Sequence, residues 1–339
     1  MPAERYRAAG VDLDAAERVK QRIGEAVATT RTDLARGRLG AFGGMVRIPG
    51  GVTEPTLVLS TDGVGTKVLV ALRAGRHDTV GEDLVNHCVN DILVHGATPI
   101  AFLDYIAGAA VDDATILALV EGVARGCRAH EMTLSGGETA EMPDVYQPGH
   151  YDLAGTIVGV VAESEALHGD RVRLGDVLLG YASNGLHTNG YTLARRVLFD
   201  QMGLDVGSTI PELHGTVGDA LLAVHRSYWR AIRPVLEHVH ALAHITGGGI
   251  PGNLARSLPE GCQAAVERAN WPVPALFQLI ATGGRVEQDE MYRVFNMGLG
   301  MIAIVSPAKE SRVRAAAARA GVETWMVGEV VAGQGVVLR

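Results

Sequence analysis

The chain contains the stretch Ser60-Thr61-Asp62-Gly63-Val64-Gly65-Thr66-Lys67, directly after the apolar run Thr56-Leu57-Val58-Leu59. The run predicts a β-strand, and the glycines after it predict a turn. Such a turn can present Asp62 to a divalent cation, backbone N–H groups to phosphate, and Lys67 to the remaining negative charge. It does not match a P-loop, because Val68 follows Lys67 where Ser or Thr is required. We therefore expect nucleotide chemistry on a different fold, with a plain glycine turn as the alternative.

Three further segments share this composition and also follow predicted strands. They are residues 135–141, 183–190 and 244–249, which are rich in Gly, Thr, Asn, His and carboxylates. Glycine turns join elements in every α/β protein, so one of them alone would carry little weight. Four in one chain favour a functional role.

The order of predicted elements indicates an α/β protein with two domains and mixed sheets. A length of 339 residues is enough for two hydrophobic cores. We place the boundary in the polar, turn-rich segment 163–175, which gives an N-terminal domain of residues 1–170 and a C-terminal domain of residues 171–339. The periodicity predicts strands at 56–60, 100–107, 132–134, 151–161, 177–182 and 241–245, and helices at 12–30, 80–95, 112–129, 191–201 and about 253–257.

Composition excludes several classes of function. The formal net charge is −8 and no basic block occurs, so we expect no nucleic-acid partner. No run of 18 apolar residues and no apolar leader is present, so we expect a cytoplasmic protein without a membrane partner. Cys88, Cys127 and Cys262 are widely spaced and lack a metal-binding pattern, which predicts buried thiols.

Carboxylates in the first half predict a magnesium site. The helix at 80–95 has one polar face, formed by Asp83, Asn86, His87, Asn90 and Asp91. From this face Asp91 can reach a cation held by Asp62, and Glu138 is a third oxygen donor with a structural hydrogen-bonding role as its alternative. We expect His87, His95 and His130 to be ordinary core or surface histidines.

The glycine turns of the second half contain hydroxyl, amide and imidazole groups instead of carboxylates. They carry His187, Thr188 and Asn189 in one turn and His244 and Thr246 in the other. Backbone N–H groups of such turns bind anions, and the polar side chains complete the shell. This half therefore predicts a site for a phosphorylated substrate.

Taken together, the motifs closely resemble one family, phosphoribosylformylglycinamidine cyclo-ligase, also called aminoimidazole ribonucleotide synthetase. The resemblance spans nearly the whole chain. It rests on Thr61-Asp62-Gly63-Val64-Gly65-Thr66-Lys67, Gly136-Gly137-Glu138-Thr139-Ala140-Glu141-Met142-Pro143 and His187-Thr188-Asn189-Gly190-Tyr191, with Thr246-Gly247-Gly248-Gly249 and Glu290-Met291-Tyr292-Arg293-Val294-Phe295-Asn296 among the further matches. Single motifs of this kind occur in a wider ATP-binding superfamily that includes thiamine monophosphate kinase and selenophosphate synthetase.

The resemblance implies a homodimer in which the N-terminal sheets pair into a barrel across the two-fold axis. The C-terminal α/β domain would then close a cleft over the ribonucleotide. Mg²⁺ would be held by Asp62, Asp91 and Glu138, and Lys67 and His187 would be catalytic. The implied ATP-binding residues are Gly40, Phe42, Gly43, Gly44, Asp62, Gly63, Gly65, Thr66 and Lys67, and the implied substrate-binding residues are His187, Thr188, Asn189, His244, Thr246, Gly247 and Gly248.

The implied reaction converts formylglycinamidine ribonucleotide to 5-aminoimidazole ribonucleotide in purine biosynthesis, with ATP as the activator of the formyl oxygen. His187 would transfer a proton or stabilise the oxygen being phosphorylated, and the sequence leaves both roles open. A small-molecule kinase of the same superfamily and a non-catalytic nucleotide-binding scaffold are the alternatives. The kinase would leave phosphate on its product, whereas the cyclo-ligase would release it.

Overall fold

The computed structural model describes residues 13–37 and 43–339 as a mixed α/β protein with two large sheets. The helices are α1 (Leu13–Ala28), α2 (Val68–Ala74), α3 (Val80–Leu93), α4 (Asp113–Ala129), α5 (Tyr191–Arg195), α6 (Val217–Leu221), α7 (Trp229–Ile232), α8 (Gly249–Leu254), α9 (Ala275–Gly284), α10 (Gln288–Val294) and α11 (Glu310–Arg319). The strands are β1 (Ala35–Arg36), β2 (Met45–Val46), β3 (Pro55–Gly63), β4 (Thr98–Gly108), β5 (Thr133–Glu141), β6 (Tyr151–Ala162), β7 (Val177–Ala182), β8 (Thr209–Ile210), β9 (Gly215–Thr216), β10 (Val239–His244), β11 (Cys262–Val266), β12 (Leu299–Val305), β13 (Thr324–Ala332) and β14 (Gly335–Leu338).

The first large sheet has the strand order β3-β6-β4-β5. Its pairs are antiparallel except β4 with β5, which is parallel. Helix α3 packs on β3 and β6, and α4 packs on α3. Buried apolar residues of α3, Leu84, Val85, Cys88 and Ile92, fill the space between this helix and its neighbours.

The opposite face of this sheet carries four large apolar side chains that stay partly exposed, while Leu34, Val46 and Val52 pack on another part of it. Burial alternates along β3, as expected for a strand with two different faces. Leu57 is 48% exposed and Leu59 is 63% exposed, and Leu103 and Tyr105 of β4 are also exposed. We call these four residues the outer apolar face.

The second large sheet has the order β10-β12-β7-β13-β11-β14. All its pairs are antiparallel except β11 with β14. Every residue of the central strand β12 is buried, which fits its continuous apolar sequence. His244 ends the edge strand β10, and the turn after it leads into α8.

Most predicted elements are confirmed, and the strand at 177–182 matches β7 at both ends. Helix α4 begins after Asp112, whose side chain accepts a hydrogen bond from the Thr115 N–H as an N-cap. Cys88, Cys127 and Cys262 are buried and free of disulfides, as expected. No helix of the described residues is long and apolar enough to cross a membrane.

Two turns predicted from glycine content are wrong in part. Residues 135–141 continue β5 to Glu141, because this polar stretch pairs along β4. Strand β3 likewise continues through Asp62 to Gly63, and the turn is confined to Val64 and the 3₁₀ segment Gly65–Lys67. The predicted helix 191–201 is α5 followed by one π-helical segment, Arg196–Gln201. The division at residue 170 stays a prediction.

Candidate active site

A cleft of about 520 Å³ lies between the two halves of the chain. The first half contributes Ser60 and Asp62 from β3 and His87 and Asp91 from α3. The second half contributes His244 of β10, Thr246 of the turn after it, Asn253 of helix α8 and Arg256 of the 3₁₀ segment that follows α8. The cleft thus collects predicted site residues from both halves.

Asp62 and Asp91 meet at the imidazole of His87. Asp62 of β3 pairs with Gly155 of β6, so both residues face the same side of the sheet. A Cβ at Gly155 would contact Leu84 of α3, and Asp62 therefore lies on the helix side. His87 Nε2 is 2.7 Å from Asp62 Oδ2 and 3.6 Å from Asp91 Oδ2. The expectation that His87 is an ordinary core histidine was wrong, because it is the link between the two carboxylates.

A second imidazole holds Asp91 from the other half of the chain. His244 Nδ1 is 2.8 Å from Asp91 Oδ1, and the Ser60 hydroxyl donates to Asp91 Oδ2 at 3.2 Å. The side chain of His244 is buried, whereas that of Asp62 is 44% exposed to the cleft. Asp62 therefore has one imidazole partner, Asp91 has His244 with His87 farther away, and both carboxylates line the cleft.

The electrostatics keep both carboxylates negative. Burial acts to raise the pKa of Asp62, but hydrogen bonding and charge from His87 outweigh it and lower that pKa. Burial likewise opposes ionisation of Asp91, but the hydrogen bond from His244 lowers its pKa. Burial lowers the pKa of His244, while for His87 the carboxylates outweigh burial and raise the pKa.

This arrangement is suited to a cation. Ligand atoms of His87, Asp91 and His244 all lie within 4.8 Å of one another. Two ionised carboxylates with exposed edges are the donors that Mg²⁺ prefers, and imidazoles that bind those carboxylates hold them in place. The donor chemistry of Asp62 and Asp91 is compatible with Mg²⁺, although Asp62 is not part of that three-residue group, and the magnesium site stays a prediction.

The turn 183–190 lies against the first motif. Thr188 Oγ1 is 2.6 Å from His87 Nδ1, and a Cβ on Gly65 would lie 3.9 Å from the Thr188 carbonyl oxygen. Thr66 and Thr192 are hydrogen-bonded through their hydroxyls at 3.2 Å. Two motifs that are far apart in sequence are thus neighbours.

The other substrate turn, 246–249, is held by Asn253. Its amide donates to the carbonyl oxygens of Thr246, Gly247 and Gly249. Gly249 has φ +62°, and a Cβ there would overlap the Tyr292 carbonyl oxygen, so only glycine fits. A Cβ on Gly247 would lie 3.4 Å from Asn189 Oδ1, which brings the two substrate turns together.

His187 is close to the cleft but does not line it. The side chain is buried, and its ring stacks on that of His225 with centroids 4.1 Å apart. Asn184 Oδ1 lies 3.0 Å from His187 Nε2, while the buried Nδ1 has no hydrogen-bond partner among the described residues. Burial, and then the charge of His244, lower the pKa of His187 well below its ordinary value. His187 is therefore a neutral imidazole with one unpaired nitrogen.

Lys67 does not face the cleft, contrary to the expectation that it contacts ATP phosphates. Its side chain is 0% exposed, and Nζ lies 2.7 Å from Asp83 Oδ2 and donates to the Ala223 carbonyl oxygen at 2.8 Å. The 3₁₀ segment after β3 turns the side chain inward, toward α3. Lys67 joins the two halves of the chain in this structure.

Glu138 cannot share a cation with Asp62 within one chain. In β5 it pairs with Tyr105, which places its side chain on the outer face, opposite to that of Asp62. β3 and β5 are also separated by two strands, or roughly 14 Å at the usual strand spacing. Glu138 and Asp62 therefore lie on opposite faces of the sheet in one chain, and the role of Glu138 as a magnesium ligand stays a prediction.

Of the predicted glycine loop, Gly40 and Phe42 lie outside the described residues. Gly43 is exposed, and a Cβ at Gly44 would collide with the Ser135 backbone, so Gly44 packs tightly against β5. Sequence reasoning missed His225, which is fully buried between His187, His244 and Thr188. Its surroundings, Ala223-Val224-His225-Arg226, contain no glycine turn that would have drawn attention to it.

Similarity to known proteins extends over both halves. The family model described as AIR synthase related protein, N-terminal domain, matches residues 43–161, and that of the C-terminal domain matches residues 173–339. A phosphoribosylformylglycinamidine cyclo-ligase of Sorangium cellulosum is 48% identical over 330 residues, which are 96% of this chain and 95% of the relative. The protein of that name from Trichlorobacter lovleyi is 43% identical over 332 residues, 97% of this chain and 95% of the relative.

Solved structures share the fold at low sequence identity. The thiamine-monophosphate kinase of Stenotrophomonas maltophilia has a TM-score of 0.68 at 18% identity, over 95% of this chain and 94% of its own. The hydrogenase maturation protein HypE in complex with ATP has a TM-score of 0.69 at 18% identity, over 96% and 91%. These structures support the fold alone, whereas the family models and the close relatives support more: the chain belongs to the phosphoribosylformylglycinamidine cyclo-ligase family and is an enzyme of the ring-forming ligase class.

Proposed function

We propose that this enzyme converts formylglycinamidine ribonucleotide to 5-aminoimidazole ribonucleotide in purine biosynthesis, with ATP converted to ADP and phosphate. The observation that carries the proposal is the interdomain cleft, in which Asp62 and Asp91 of one half meet His244 of the other. A carboxylate pair for a metal-bound nucleotide and polar glycine turns for a phosphorylated substrate then face each other. The family of the chain supports the same reaction.

The chemistry requires an activated formyl group. Ring closure forms a bond from the amidine nitrogen to the formyl carbon and breaks the bond from that carbon to its oxygen. Oxide is a very poor leaving group, so the γ-phosphoryl group of ATP is first transferred to the formyl oxygen. The resulting iminophosphate then loses inorganic phosphate as the nitrogen attacks, and the nitrogen releases its proton.

Asp62 and Asp91 would hold Mg²⁺, which neutralises charge on the phosphoryl group when it is bound. His87 and His244 keep the two carboxylates ionised and oriented through the contacts described above. Glycine-rich backbone near Gly63 and Gly65 is the part of the first motif that can approach phosphates closely. HypE, a structural neighbour, was solved with ATP, which favours the same ligand here.

The ribonucleotide would lie against the 246–249 turn and Asn189. Asn253 fixes this turn by three hydrogen bonds, so its backbone groups are preorganised. His187 stays our candidate for moving a proton, since its neutral ring has an unpaired Nδ1.

We also propose a homodimer whose sheets pair through the outer apolar face into a barrel. Leu57, Leu59, Leu103 and Tyr105 form an exposed apolar patch on one sheet. A second copy of the same face covers such a patch symmetrically. This association would also bring Glu138 of each chain into the interface.

The mechanism can be tested by following the formyl oxygen of the substrate. Substrate carrying ¹⁸O in the formyl group is incubated with enzyme, ATP and Mg²⁺, and phosphate is analysed by mass spectrometry. We expect one labelled oxygen in phosphate for each imidazole formed, because the formyl oxygen leaves bound to phosphorus. Unlabelled phosphate together with normal ring formation would eliminate the iminophosphate route.

The same incubation separates the alternatives. A small-molecule kinase would leave the phosphoryl group on its organic product, and a nucleotide-binding scaffold would give no turnover. Formation of the aminoimidazole without enzyme-bound ATP would contradict the proposal as a whole.

A further inference from the structure

Four buried imidazoles lie side by side where the two halves meet, and we call them the histidine cluster: His87, His187, His225 and His244. His225 is at its centre. Its ring centroid is 4.1 Å from that of His187 and 5.2 Å from those of both His87 and His244. His225 is 0% exposed and does not line the cleft, so it can act on the reaction only through its neighbours.

Both ring nitrogens of His225 have partners in the cluster. Nε2 is 3.2 Å from His244 Nε2 and 3.1 Å from Asn90 Nδ2. Nδ1 is 3.3 Å from Thr188 Oγ1, which in turn is 2.6 Å from His87 Nδ1. An unbroken hydrogen-bonded path therefore connects the residue that holds Asp62 with the residue that holds Asp91.

The backbone of His225 is fixed by the polar face of α3. Its N–H donates to Asp83 Oδ1 at 2.6 Å, and its carbonyl oxygen accepts from Asn86 Nδ2 at 2.8 Å. Asn90 Oδ1 accepts from the Tyr228 N–H, and Asn90 Nδ2 donates to the Arg226 carbonyl oxygen. The ring thus has little freedom to move away from the cluster.

These contacts constrain where the single proton of a neutral His225 can be. His244 uses its Nδ1 proton for Asp91, so its Nε2 offers a lone pair to His225. The free N–H of Asn90 points at the same His225 nitrogen and favours a lone pair there. His225 can satisfy either neighbour by moving its proton between Nε2 and Nδ1, while the Thr188 hydroxyl rotates to match.

We propose that His225 is a positioning residue for ring closure, which holds His244 against Asp91 and links that pair to Thr188 and His87. Side chains that share a hydrogen-bonded network act as a unit, so loss of the central polar group displaces its neighbours even when the volume is kept. The proposal deepens the function given above and rests on it for its kinetic readout.

Two substitutions separate polar positioning from packing. In His225→Gln, the amide takes the place of Nε2 and offers an N–H to His244 and an oxygen to Asn90. We expect kcat to fall less than ~10-fold. In His225→Phe, the ring stack on His187 is retained without polar atoms, and we expect kcat to fall ~10- to 100-fold or more with both KM values nearly unchanged. The control is His240→Gln, because the His240 imidazole also pairs with a buried carboxylate, that of Asp176, but lies outside the cluster and the cleft lining.

A second readout does not need turnover. In ¹⁵N-histidine NMR spectra of the wild-type enzyme, we expect His244 to be protonated on Nδ1. His225→Gln should preserve this signal, and His225→Phe should shift or broaden it. Wild-type kcat in a folded His225→Phe protein, or an unchanged His244 signal there, would refute the proposal. The proposal would also be refuted if His225→Gln had the melting temperature of wild type but a kcat as low as that of His225→Phe. A wild-type enzyme that forms no imidazole would refute the proposed function, and the spectra would still decide the position of His244.

Discussion

At the scale of single residues, the site depends on imidazole–carboxylate pairs. His87 with Asp62 and His244 with Asp91 each place a buried ring behind a carboxylate that opens to the cleft. The ring provides a hydrogen bond and restricts rotation of the carboxylate. A metal or a phosphoryl group that arrives in the cleft would meet anions that are already oriented, so little reorganisation remains to be done.

Asp62→Asn tests this at the carboxylate that is more exposed. The amide keeps the shape and removes the charge, so we expect the fold to persist and turnover to fall by at least ~10²-fold. Steady-state kinetics at ordinary Mg²⁺ and a melting curve measure the two effects. Asp205→Asn is the matched control, because Asp205 also accepts from the N–H of the next residue but is exposed away from the cleft and from the outer apolar face. Near-normal turnover of a folded Asp62→Asn enzyme would show that Asp62 is not a functional residue of the site.

We expect His130 to make the free energy of unfolding fall at acid pH. Burial, and then the charge of Arg230, lower its pKa to about 4. Nε2 binds Asn86, and the buried Nδ1 has no partner among the described residues. The unfolded chain binds this proton near pH 6.5, so stability is complete above that pH and falls as the pH drops toward 4. The loss is at most about 3 kcal/mol. Urea titrations from pH 7 to pH 4 should show a shallower fall in His130→Gln, and an identical fall would contradict the assignment.

Single residues differ in how far the sequence predicts them. Asp62 and Asp91 line one cleft because of the strand and the helix that carry them, whereas His244, predicted for the substrate, lies against Asp91. Glu138 lies away from Asp62 because its segment pairs as a strand, which alternates side chains between two faces. Lys67 pairs with Asp83, which the sequence could not reveal, because an ammonium group suits both a phosphate and a buried carboxylate. His225 has no local signal, since its importance comes entirely from its neighbours.

At the scale of elements, α3 serves both halves of the molecule. Its apolar side packs on the first sheet, while His87 and Asp91 face the cleft. Asp83, Asn86 and Asn90 instead bind the backbone of residues 225–228. The polar face of this helix, from which the sequence predicts only Asp91 as a metal ligand, thus has two roles: His87 and Asp91 line the cleft, and the other polar residues attach the second half.

A pair of variants tests the attachment at its most buried point. Lys67→Met leaves Asp83 as an unpaired buried charge, and we expect a loss of about 3–5 kcal/mol in the free energy of unfolding. Adding Asp83→Asn removes that charge and keeps the acceptor for the His225 N–H, so most of the loss should be recovered. Urea unfolding of the single and double variants measures this, and turnover of the double variant should approach wild type. If the double variant regained stability but had a much higher KM for ATP, we would conclude that Lys67 contacts the ATP phosphates.

Elements with a clear period are predictable, and those with polar glycine sequences are not. The alternating or continuous apolar runs of β6, β7 and β12 identify strands directly. The polar end of β5 is a strand because it pairs with β4, which is distant in sequence. The residues alone therefore predict a turn there. The π-helical end after α5 likewise has no signature in its residues.

At the scale of the whole molecule, the outer apolar face predicts the state of association. Leu59 is the most exposed of its four residues, so Leu59→Glu places a charge where a second sheet would pack. We expect wild type to sediment as a dimer at micromolar concentration and Leu59→Glu as a monomer. Leu174→Glu is the control, because Leu174 is similarly exposed at 59% but lies outside this face. A fully active wild-type monomer, or a Leu59→Glu dimer, would contradict the barrel.

The contacts of α3 with residues 225–228 also affect how the chain matures during translation. Asn90 and Tyr228 are 138 residues apart, so ribosomes need on the order of ten seconds to deliver the second after the first. During that interval Asp83, Asn86 and Asn90 have only water in place of their backbone partners. A nascent first half must therefore wait in a hydrated form, and the interior of the enzyme is sealed late, when the segment that carries His225 arrives.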